Sequence, residues 1–325
     1  MTAPLRIAIA GLGTVGSGLI RIIQTHPKLL AARAGRPIEI IAVTARSRGK
    51  DRGVDLSGYG WEDDPVTLAR REDIDLLVEV MGGADGPAKA ATEAALEAGK
   101  HVVTANKAML AEHGHALALQ AEEKGVALRF EAAVAGGIPC VKALTEGMAG
   151  NAMSRVLGVM NGTCNYILTE MERTGGDYDN ILADAQRLGY AEADPTFDVG
   201  GHDAAQKLAL LAATAFGTRI DYDGILVEGI ERVTLTDIRY ARDMGYRIKL
   251  LGVAARTPDG VEQRMQPCLV PETSAFGELS GVTNMVALEG DALSEVVIQV
   301  DFAVLTAQVV PHAISLEETV GTLPA

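Results

Sequence analysis

The densest group of side chains able to do acid, base or ion-pair chemistry lies in residues 188–207, LGYAEADPTFDVGGHDAAQK. Its acidic residues are Glu192, Asp194, Asp198 and Asp203. Gly200 and Gly201 interrupt the chain before a predicted helix, so Asp203 falls in the first helical turn, where the helix dipole favours a carboxylate. Lys207 follows by four positions and shares its helix face. The pattern indicates a loop that holds a cationic group, and the alternative is a solvated ion pair opening an amphipathic helix.

A glycine-rich motif follows the first apolar segment. Residues 5–10 read as a short strand and residues 17–23 as part of a helix. Between them stand Gly11, Leu12, Gly13, Thr14, Val15 and Gly16. Glycines at these spacings permit a tight turn, close approach of the backbone to a pyrophosphate, and close packing of the helix on the sheet. Because the motif directly follows the first strand, it predicts a dinucleotide-binding site.

The segment after the second predicted strand, residues 38–45, indicates which dinucleotide binds. An NAD site usually has an acid here for the ribose 2′-hydroxyl. This chain instead carries Arg46, Arg48, Lys50 and Arg52. A basic cluster suits a 2′-phosphate, so the sequence predicts that NADP(H) is preferred, bound through Arg46 and Arg48, with NAD(H) as the second cofactor. Solvated loop charge is the competing explanation.

Two further loops follow predicted strands, MGGADGP after residues 75–80 and TANK after residues 101–104. Open α/β sheets bind their ligands at the carboxyl ends of their strands. Thr104 and Lys107 are therefore predicted to lie near the cofactor, and Lys107 near the substrate as well. A lysine in the first turn of a helix is disfavoured by the helix dipole, which favours this role over that of an ordinary surface lysine.

The chain is organised into two predicted domains and a tail. Alternating strands and helices over residues 1–138 predict an α/β, Rossmann-type parallel sheet that binds NAD(P). Residues 139–301 predict an α+β domain on a mostly antiparallel sheet, with helices on one face, for catalysis, substrate binding and dimerisation. Its apolar segments between residues 246 and 300 indicate burial by a second subunit. Residues 302–325 form an atypical C-terminal tail.

Composition excludes several classes of protein. The chain has 325 residues and a net charge of −14, which argues against nucleic acid or an anionic membrane as partner and favours a small-molecule substrate. No apolar run approaches the roughly 20 residues that span a bilayer. Three cysteines in no metal-ligand pattern, and an N-terminus that enters the first strand at once, predict a cytoplasmic protein without a signal peptide.

Several motifs together resemble those of the homoserine dehydrogenase family. They are GLGTVG, TANK, EAAVAGGIP, NGTCNYIL, LGYAEADPTFDVGGHDAAQKLALLA and GYRIKLLGVA. The resemblance covers residues 5–300, and the long acidic motif is far more specific than the glycine loop. It implies the reversible, NAD(P)H-dependent reduction of L-aspartate 4-semialdehyde to L-homoserine, on the route to threonine and methionine. It also implies a homodimer or homotetramer.

The resemblance assigns roles to individual residues. Lys207 corresponds to the family's catalytic lysine, Asp203 and Glu192 to substrate-site acids, and Lys107 to a lysine near both nicotinamide and substrate. The EAAVAGGIP segment resembles a monovalent-cation site, for sodium, and is otherwise explained as a domain hinge. Its ligands would be Glu131 and the carbonyls of Val134, Gly136 and Ile138.

The chemistry of the lysines and acids agrees with this reaction. Hydride delivery to an aldehyde creates alkoxide charge, which the ammonium of Lys207 or Lys107 can stabilise and protonate. The ammonium of an amino-acid substrate needs an anionic partner shielded from water. Glu192 is the preferred partner, with Asp198 and Asp203 beside it.

The turn that opens the NGTCNYIL helix suits the other end of the substrate. Its carboxylate would accept hydrogen bonds from backbone N–H groups at Gly162 and Thr163, as anions do at helix N-termini. Tyr190 would form a wall of the same pocket.

Two competing functions are open from the sequence. The tail lacks the glycine-rich stretch and PTASAVV-like helix that the family usually has, which leaves a non-catalytic NADP-binding homologue as the alternative. Less favoured is a semialdehyde dehydrogenase with Cys164 as thiolate nucleophile, because no histidine lies between His115 and His202 to act as its base. No regulatory domain of the ACT type is expected.

Overall fold

The computed structural model describes residues 2–300, without the side chain of Val300. The chain divides into two compact units, one up to Gly137 and one from Ile138 onward. The predicted tail, residues 302–325, lies outside the described residues. Among the residues described, no helix is long and apolar enough to cross a membrane.

The first unit is built on a six-stranded parallel sheet in the order β3-β2-β1-β4-β5-β6. Its strands are β1 Leu5–Ala10, β2 Ile38–Thr44, β3 Gly60–Trp61, β4 Leu76–Glu79, β5 His101–Thr104 and β6 Leu128–Arg129. Its helices are α1 Thr14–Thr25, α2 Pro27–Ala34, α3 Pro65–Ala69, α4 Pro87–Glu97, α5 Lys107–Lys124 and α6 Glu131–Val134. The Rossmann-type parallel sheet predicted from the alternating pattern is confirmed.

Strand β1 is buried on both faces, as a central parallel strand must be. Ile7 and Ile9 pack into a core cluster that includes apolar residues of α1, while Ala8 and Ala10 pack into a second cluster on the other face. The strand order reverses between β1 and β4, because β2 and β3 lie on one side of β1 while β4 to β6 lie on the other. Ligands of doubly wound sheets bind at this switch point, and the glycine motif follows β1 directly.

The second unit contains a six-stranded sheet in the order β12-β11-β7-β9-β10-β8. Its strands are β7 Met153–Val159, β8 Leu226–Val227, β9 Tyr246–Thr257, β10 Gly260–Pro271, β11 Asn284–Gly290 and β12 Val296–Val300. Its helices are α7 Cys140–Lys142, α8 Gly162–Thr174, α9 Tyr178–Leu188, α10 Thr196–Val199, α11 His202–Phe216, α12 Leu235–Asp243 and α13 Ala275–Glu278. Every pairing is antiparallel except that of β8 with β10, which confirms the predicted mostly antiparallel sheet.

Helix α11 packs against the strands of this sheet. Its apolar residues are almost all buried, and Leu208 of α11 lies over Gly252 in β9. A Cβ at Gly252 would lie 2.5 Å from the end of the Met265 side chain and 2.9 Å from that of Met160. Before β7, the short α7 is followed by a π-helical turn, Ala143–Gly147.

Candidate functional site

The glycine motif forms a turn that only glycine fits at two positions. Gly11 has φ +106°, and a Cβ there would lie 2.5 Å from the carbonyl oxygen of Val80. Gly16 packs directly against the backbone of Gly11, leaving no space for a side chain. Gly13 differs, because a Cβ there would meet open space. Gly11 and Gly16 are thus needed for the shape of the loop, whereas Gly13 leaves the space beside the loop free of a side chain.

Helix α1 begins at Thr14 immediately after this turn. Its N-cap, Gly13, has no side chain to accept hydrogen bonds from the first-turn N–H groups, and the first turn carries no acid. Uncapped N–H groups at a helix N-terminus favour a phosphate. The loop, Gly11 to Gly16, thus has the geometry that the predicted pyrophosphate site requires, and the assignment of its residues stays a prediction.

The loop after β2 carries the basic cluster. Arg46, Arg48 and Lys50 are exposed there, whereas Arg52 is partly buried and folds back onto main-chain carbonyls. Arg46 and Arg48 thus lie at the surface beside the end of β2, where a 2′-phosphate would be met.

The carboxylate of Glu79 organises the ends of β4 and β5. Glu79 is fully buried, and its Oε1 accepts from the N–H groups of Met81 at 2.7 Å and Gly82 at 3.3 Å. Its Oε2 accepts from the hydroxyl of Thr104 at 2.6 Å. Sequence reasoning missed Glu79; the only signal was an acid ending an apolar strand. A carboxyl group buried this deeply is tolerated when its oxygens are hydrogen-bonded in this way.

Thr104 and Asn106 extend this arrangement to α5. The Thr104 hydroxyl also accepts from the N–H of Asn106, and the Asn106 side chain donates to the carbonyl of Gly83 at 2.7 Å and caps α5 by accepting from the N–H of Met109. Lys107 follows as the first residue of α5 and is partly buried. The two predicted loops are therefore held together at one edge of the sheet, with Lys107 beside them.

In the second unit, four polar residues form a connected group, which we call the Lys207 network: Lys207, Asp203, Asn161 and Asp198. Lys207 Nζ donates to Asp203 Oδ2 at 2.7 Å and to the carbonyl of Met160 at 2.8 Å. The Asn161 amide donates to Asp203 Oδ2 at 3.1 Å and to Asp198 Oδ1 at 2.8 Å. The Asp203–Lys207 pair is only 11% and 18% exposed in its side chains, so the reading as a solvated surface ion pair does not describe it.

Asn161 also begins helix α8. Its side-chain oxygen accepts from the N–H of Cys164 at 2.8 Å, so one residue caps α8 and joins two acids. The sequence indicated this turn for a substrate carboxylate but did not reveal that the Asn161 side chain links residues 37 and 42 positions away. Gly162 and Thr163 form the first turn of α8.

Burial changes the acidity of two groups around Asn161. It raises the pKa of Asp198, an effect to which the charges of Asp203 and Glu192 add. It also raises the pKa of the Cys164 thiol well above its ordinary value, together with the charges of Asp198 and Asp203. A thiol that resists ionisation is a poor nucleophile, which disfavours the Cys164-dependent alternative.

Tyr190 and Glu192 lie on the loop between α9 and α10. The Thr163 hydroxyl donates to the Tyr190 carbonyl at 2.6 Å, and the Tyr190 ring contacts the ring of Tyr166 at 4.9 Å between centroids. Glu192 is exposed, and its carboxylate makes no hydrogen bond or ion pair with the residues that the structure describes. Thr163 and Tyr190 thus adjoin the Lys207 network, while Glu192 acts on it through charge.

A buried lysine that sequence reasoning missed supports α8 from behind. Lys249 in β9 is 2% exposed, and its Nζ donates to Asn165 Oδ1 at 2.9 Å and to the carbonyl of Leu279. Asn165 in turn donates to the carbonyl of Thr283 at 3.2 Å. Burial lowers the pKa of Lys249 to about 8. A single lysine inside a strand gives no pattern from which this could be predicted.

The predicted cation ligands lie in consecutive stretches of chain. Glu131 and Val134 are buried residues of α6, Gly136 follows α6, and Ile138 is the first residue of the second unit. Elsewhere in the described residues, Asp85, Glu112 and His113 form a group whose side chains could together approach a metal ion. His113 Nε2 lies 2.9 Å from Asp85 Oδ1, so a hydrogen bond between these two side chains accounts for their proximity.

Comparisons with known proteins match both units. Residues 11–131 match the family model described as "Homoserine dehydrogenase, NAD binding domain", and residues 139–307 match that described as "Homoserine dehydrogenase". A homoserine dehydrogenase of Neisseria gonorrhoeae is 44% identical over 292 residues, which are 90% of this chain and 67% of that protein. One of Mycobacterium bovis is 47% identical over 294 residues, 89% of this chain and 66% of that protein.

Solved structures give the same result. The crystal structure of a homoserine dehydrogenase from Thiobacillus denitrificans superposes with a TM-score of 0.93 at 40% identity, covering 97% of this chain and 73% of that one. The chain spans about two thirds of the length of the curated relatives it matches.

Proposed function

The chain belongs to the homoserine dehydrogenase family of oxidoreductases, and from this premise we propose that it reduces L-aspartate 4-semialdehyde to L-homoserine, reversibly, with NADP(H). The observation that carries the proposal is the Lys207 network, in which a lysine is held by an acid and a carbonyl at the start of a buried helix. The proposed reaction belongs to the biosynthesis of threonine and methionine.

Lys207 is the proposed proton donor. NADPH, when bound, would supply a hydride to the aldehyde carbon. As the new C–H bond forms, the electrons of the C=O double bond move to oxygen, and a Lys207 proton forms the O–H bond of the alcohol. A fixed ammonium stabilises this oxygen charge because it needs no reorganisation when the charge appears. Lys107 is the second proposed catalytic lysine, on the unit that carries the glycine loop.

The acids of the second unit suit the substrate's amino group. Asp203 is hydrogen-bonded to Lys207 and keeps it oriented. Although its side chain is exposed rather than shielded from water as the sequence analysis expected, Glu192 is the proposed partner of the substrate ammonium because its carboxylate has no partner among the described residues. Burial raises the pKa of Asp198, and the charge of Glu192 adds to this effect. The N–H groups of Gly162 and Thr163 are the proposed donors to the substrate carboxylate, with Tyr190 as a wall.

The test is a rate measurement with purified protein. NADPH oxidation should require aspartate semialdehyde, and NADP⁺ reduction should require homoserine, both without added phosphate. NADPH binding without turnover would instead favour the non-catalytic homologue. Activity that required phosphate and was lost in Cys164→Ser would favour the thioester alternative, which the buried thiol argues against.

The proposed preference for NADP(H) over NAD(H) rests on Arg46 and Arg48. Both are exposed arginines at the end of β2, and no acid occupies the corresponding place to accept a ribose 2′-hydroxyl. The ratio of kcat/KM for NADPH to that for NADH measures this preference, and a ratio below one would contradict it.

A monovalent cation, sodium, is proposed to bind the segment Glu131 to Ile138. The support is a buried carboxylate, Glu131, followed by a stretch whose carbonyls at Val134, Gly136 and Ile138 are not all in regular helix. Oxygen ligands of this type suit hard cations. Activity in sodium salts should exceed activity in equal N-methylglucamine chloride, and equal rates would contradict the assignment.

We also propose a homodimer or homotetramer in the cytoplasm. Register pairing places Val297, Ala287, Leu157 and Val253 in one apolar row across four adjacent strands, and Val297 is 40% exposed. Ala287 and Val253 are already buried within the unit, so Val297, at the end of the row, is the exposed member that a second copy of the sheet would cover. The three cysteines are free, as expected in a reducing compartment. Cell fractionation tests the location.

A further inference from the structure

Arg52 makes contacts unlike those of a phosphate ligand. Its Nη1 donates to the carbonyl of Lys50 at 2.6 Å, its Nη2 to the carbonyl of Ser47, and its Nε to the carbonyl of Leu12 at 3.2 Å. All three guanidinium nitrogens are therefore engaged with main chain. The side chain that the sequence analysis counted in the basic cluster therefore binds main-chain carbonyls of the protein.

The three carbonyls belong to two segments that a dinucleotide phosphate would meet. Two of them lie in residues 45–52, which we call the basic loop and which carries Arg46 and Arg48. The third is that of Leu12, between the first two glycines of the glycine motif. Arg52 thus fixes the shape of the basic loop and fastens it to the glycine loop.

Trp61 supports the same loop from the edge strand β3. It pairs with Val43 of β2, and its indole N–H donates to Asp63 at 2.8 Å. The guanidinium carbons of Arg48 and Arg52 lie 5.7 and 5.9 Å from its ring centroid. Arginines at this distance are attracted to an aromatic face, so the basic loop rests on a fixed aromatic surface.

We propose that Arg52 is a positioning residue that confers selectivity for a 2′-phosphorylated dinucleotide, by holding the basic loop against the glycine loop without contacting the phosphate itself. The inference rests on the proposed function for the identity of the cofactor. Lysine cannot replace Arg52, because an ammonium has no planar fork with which to reach three carbonyls at once. Positive charge at this position is therefore insufficient.

Binding of NAD(H), which lacks the 2′-phosphate, should depend much less on Arg52. The glycine loop has two other attachments, since the hydroxyl of Ser17 donates to the carbonyl of Leu12 at 3.3 Å and the N–H of Gly11 donates to the carbonyl of Thr44 at 3.0 Å. These contacts remain when Arg52 is changed. When Arg52 is changed, the glycine loop should therefore keep its conformation, whereas the basic loop should not.

The test compares Arg52→Lys and Arg52→Ala with Arg33→Lys, which makes the same change at an exposed arginine on α2. Calorimetry measures binding of adenosine 2′,5′-bisphosphate and, separately, of NADH to the full chain. Both Arg52 variants should bind the bisphosphate at least about tenfold more weakly, as expected for lost charge-assisted hydrogen bonds. NADH affinity should change by less than about threefold, and Arg33→Lys should match the original protein.

A second readout locates the ligand. Trp61 is the single tryptophan of the chain, so a change in tryptophan emission on adding the bisphosphate reports binding beside the basic loop. The ligand carries no nicotinamide, and the result is therefore independent of turnover.

Three results would overturn the inference. They are original bisphosphate affinity in Arg52→Lys, equal weakening of NADH and bisphosphate in both variants, and original protein that binds NADH but not the bisphosphate. The expected binding pattern in a protein that does not turn over aspartate semialdehyde would support the inference and contradict the proposed activity.

Discussion

At the scale of single residues, Lys207 is the group whose loss should be most informative. Its ammonium is already held by Asp203 and by the carbonyl of Met160. We expect Lys207→Ala to lower kcat by about 10²–10⁴-fold, because proton delivery by a positioned group contributes that much. NADPH affinity should stay within about threefold, since the contacts of Lys207 are not to the glycine loop. Initial rates and NADPH fluorescence titrations measure the two effects.

The control is Lys28→Ala, which removes an exposed lysine on α2 and should leave both quantities unchanged. Lys107→Ala should also reduce turnover severely. Near-normal turnover of Lys207→Ala would mean that the Asp203–Lys207 pair is a structural ion pair only.

Glu192 should affect substrate affinity more than turnover. Glu192→Gln keeps the shape of an exposed side chain but removes the charge proposed to attract the substrate ammonium. The expected result is a KM for homoserine raised by about tenfold or more, the range for loss of a hydrogen bond to a charged group, with a smaller change in kcat. Steady-state kinetics separate the two, and a lower kcat at unchanged KM would be the contrary result.

Asp198 should make the protein less stable at neutral pH than an uncharged residue would. Burial raises the pKa of Asp198 in the folded protein above its ordinary value of 3.8. Above pH 3.8 the unfolded chain therefore releases this proton more readily than the folded protein does, and the free energy of unfolding falls as pH rises. We expect Asp198→Asn, which can still accept from Asn161, to have a higher Tm than the original at pH 7. The difference should shrink towards pH 4. A difference in Tm independent of pH would contradict this.

At the scale of elements, the glycine loop offers a matched pair of substitutions. Gly13→Ala adds a methyl group into open space at φ −76° and should leave Tm within about 2 °C, since such a surface change alters stability by little. It should nevertheless weaken NADPH binding, because the methyl group occupies the side left clear for phosphate. Gly11→Ala, at φ +106° and against Val80, should lower Tm by several degrees. Thermal unfolding and calorimetry distinguish them, and equal Tm values would be contrary.

The elements that could be predicted are those set by local pattern. Gly11 and Gly16 follow from spacing alone, and the Asp203–Lys207 pair follows from the helical repeat. Asn161 could not be predicted as the link between Asp198 and Asp203, because that link depends on how α8 and α11 pack. Arg52 was counted in the basic cluster because the sequence shows its charge but not which carbonyls it reaches. Glu79 and Lys249 were missed because a lone polar residue in an apolar strand has no periodic signature.

At the scale of the whole molecule, the sheet of the second unit should decide the oligomeric state. Val297 belongs to the apolar row that the strands bring together, and Val297→Glu would bury a charge if a second copy covers it. We expect the original protein to have at least twice the chain mass of 34.1 kDa and the variant to shift towards that mass. Light scattering measures both. A single 34.1 kDa species in the original protein would exclude the dimer.

The Asn161–Gly162 peptide bears on how the protein ages. An asparagine followed by glycine is the pair most prone to lose its side-chain amide, because the next backbone nitrogen attacks the side-chain carbonyl. Here that carbonyl accepts from the N–H of Cys164, and the amide nitrogen is held by Asp198 and Asp203. In the folded protein these hydrogen bonds thus protect the Asn161 side-chain amide from deamidation. Heat unfolding would expose it, and the aspartate formed would add a negative charge beside two acids, so inactivation on prolonged heating should become irreversible at this single peptide.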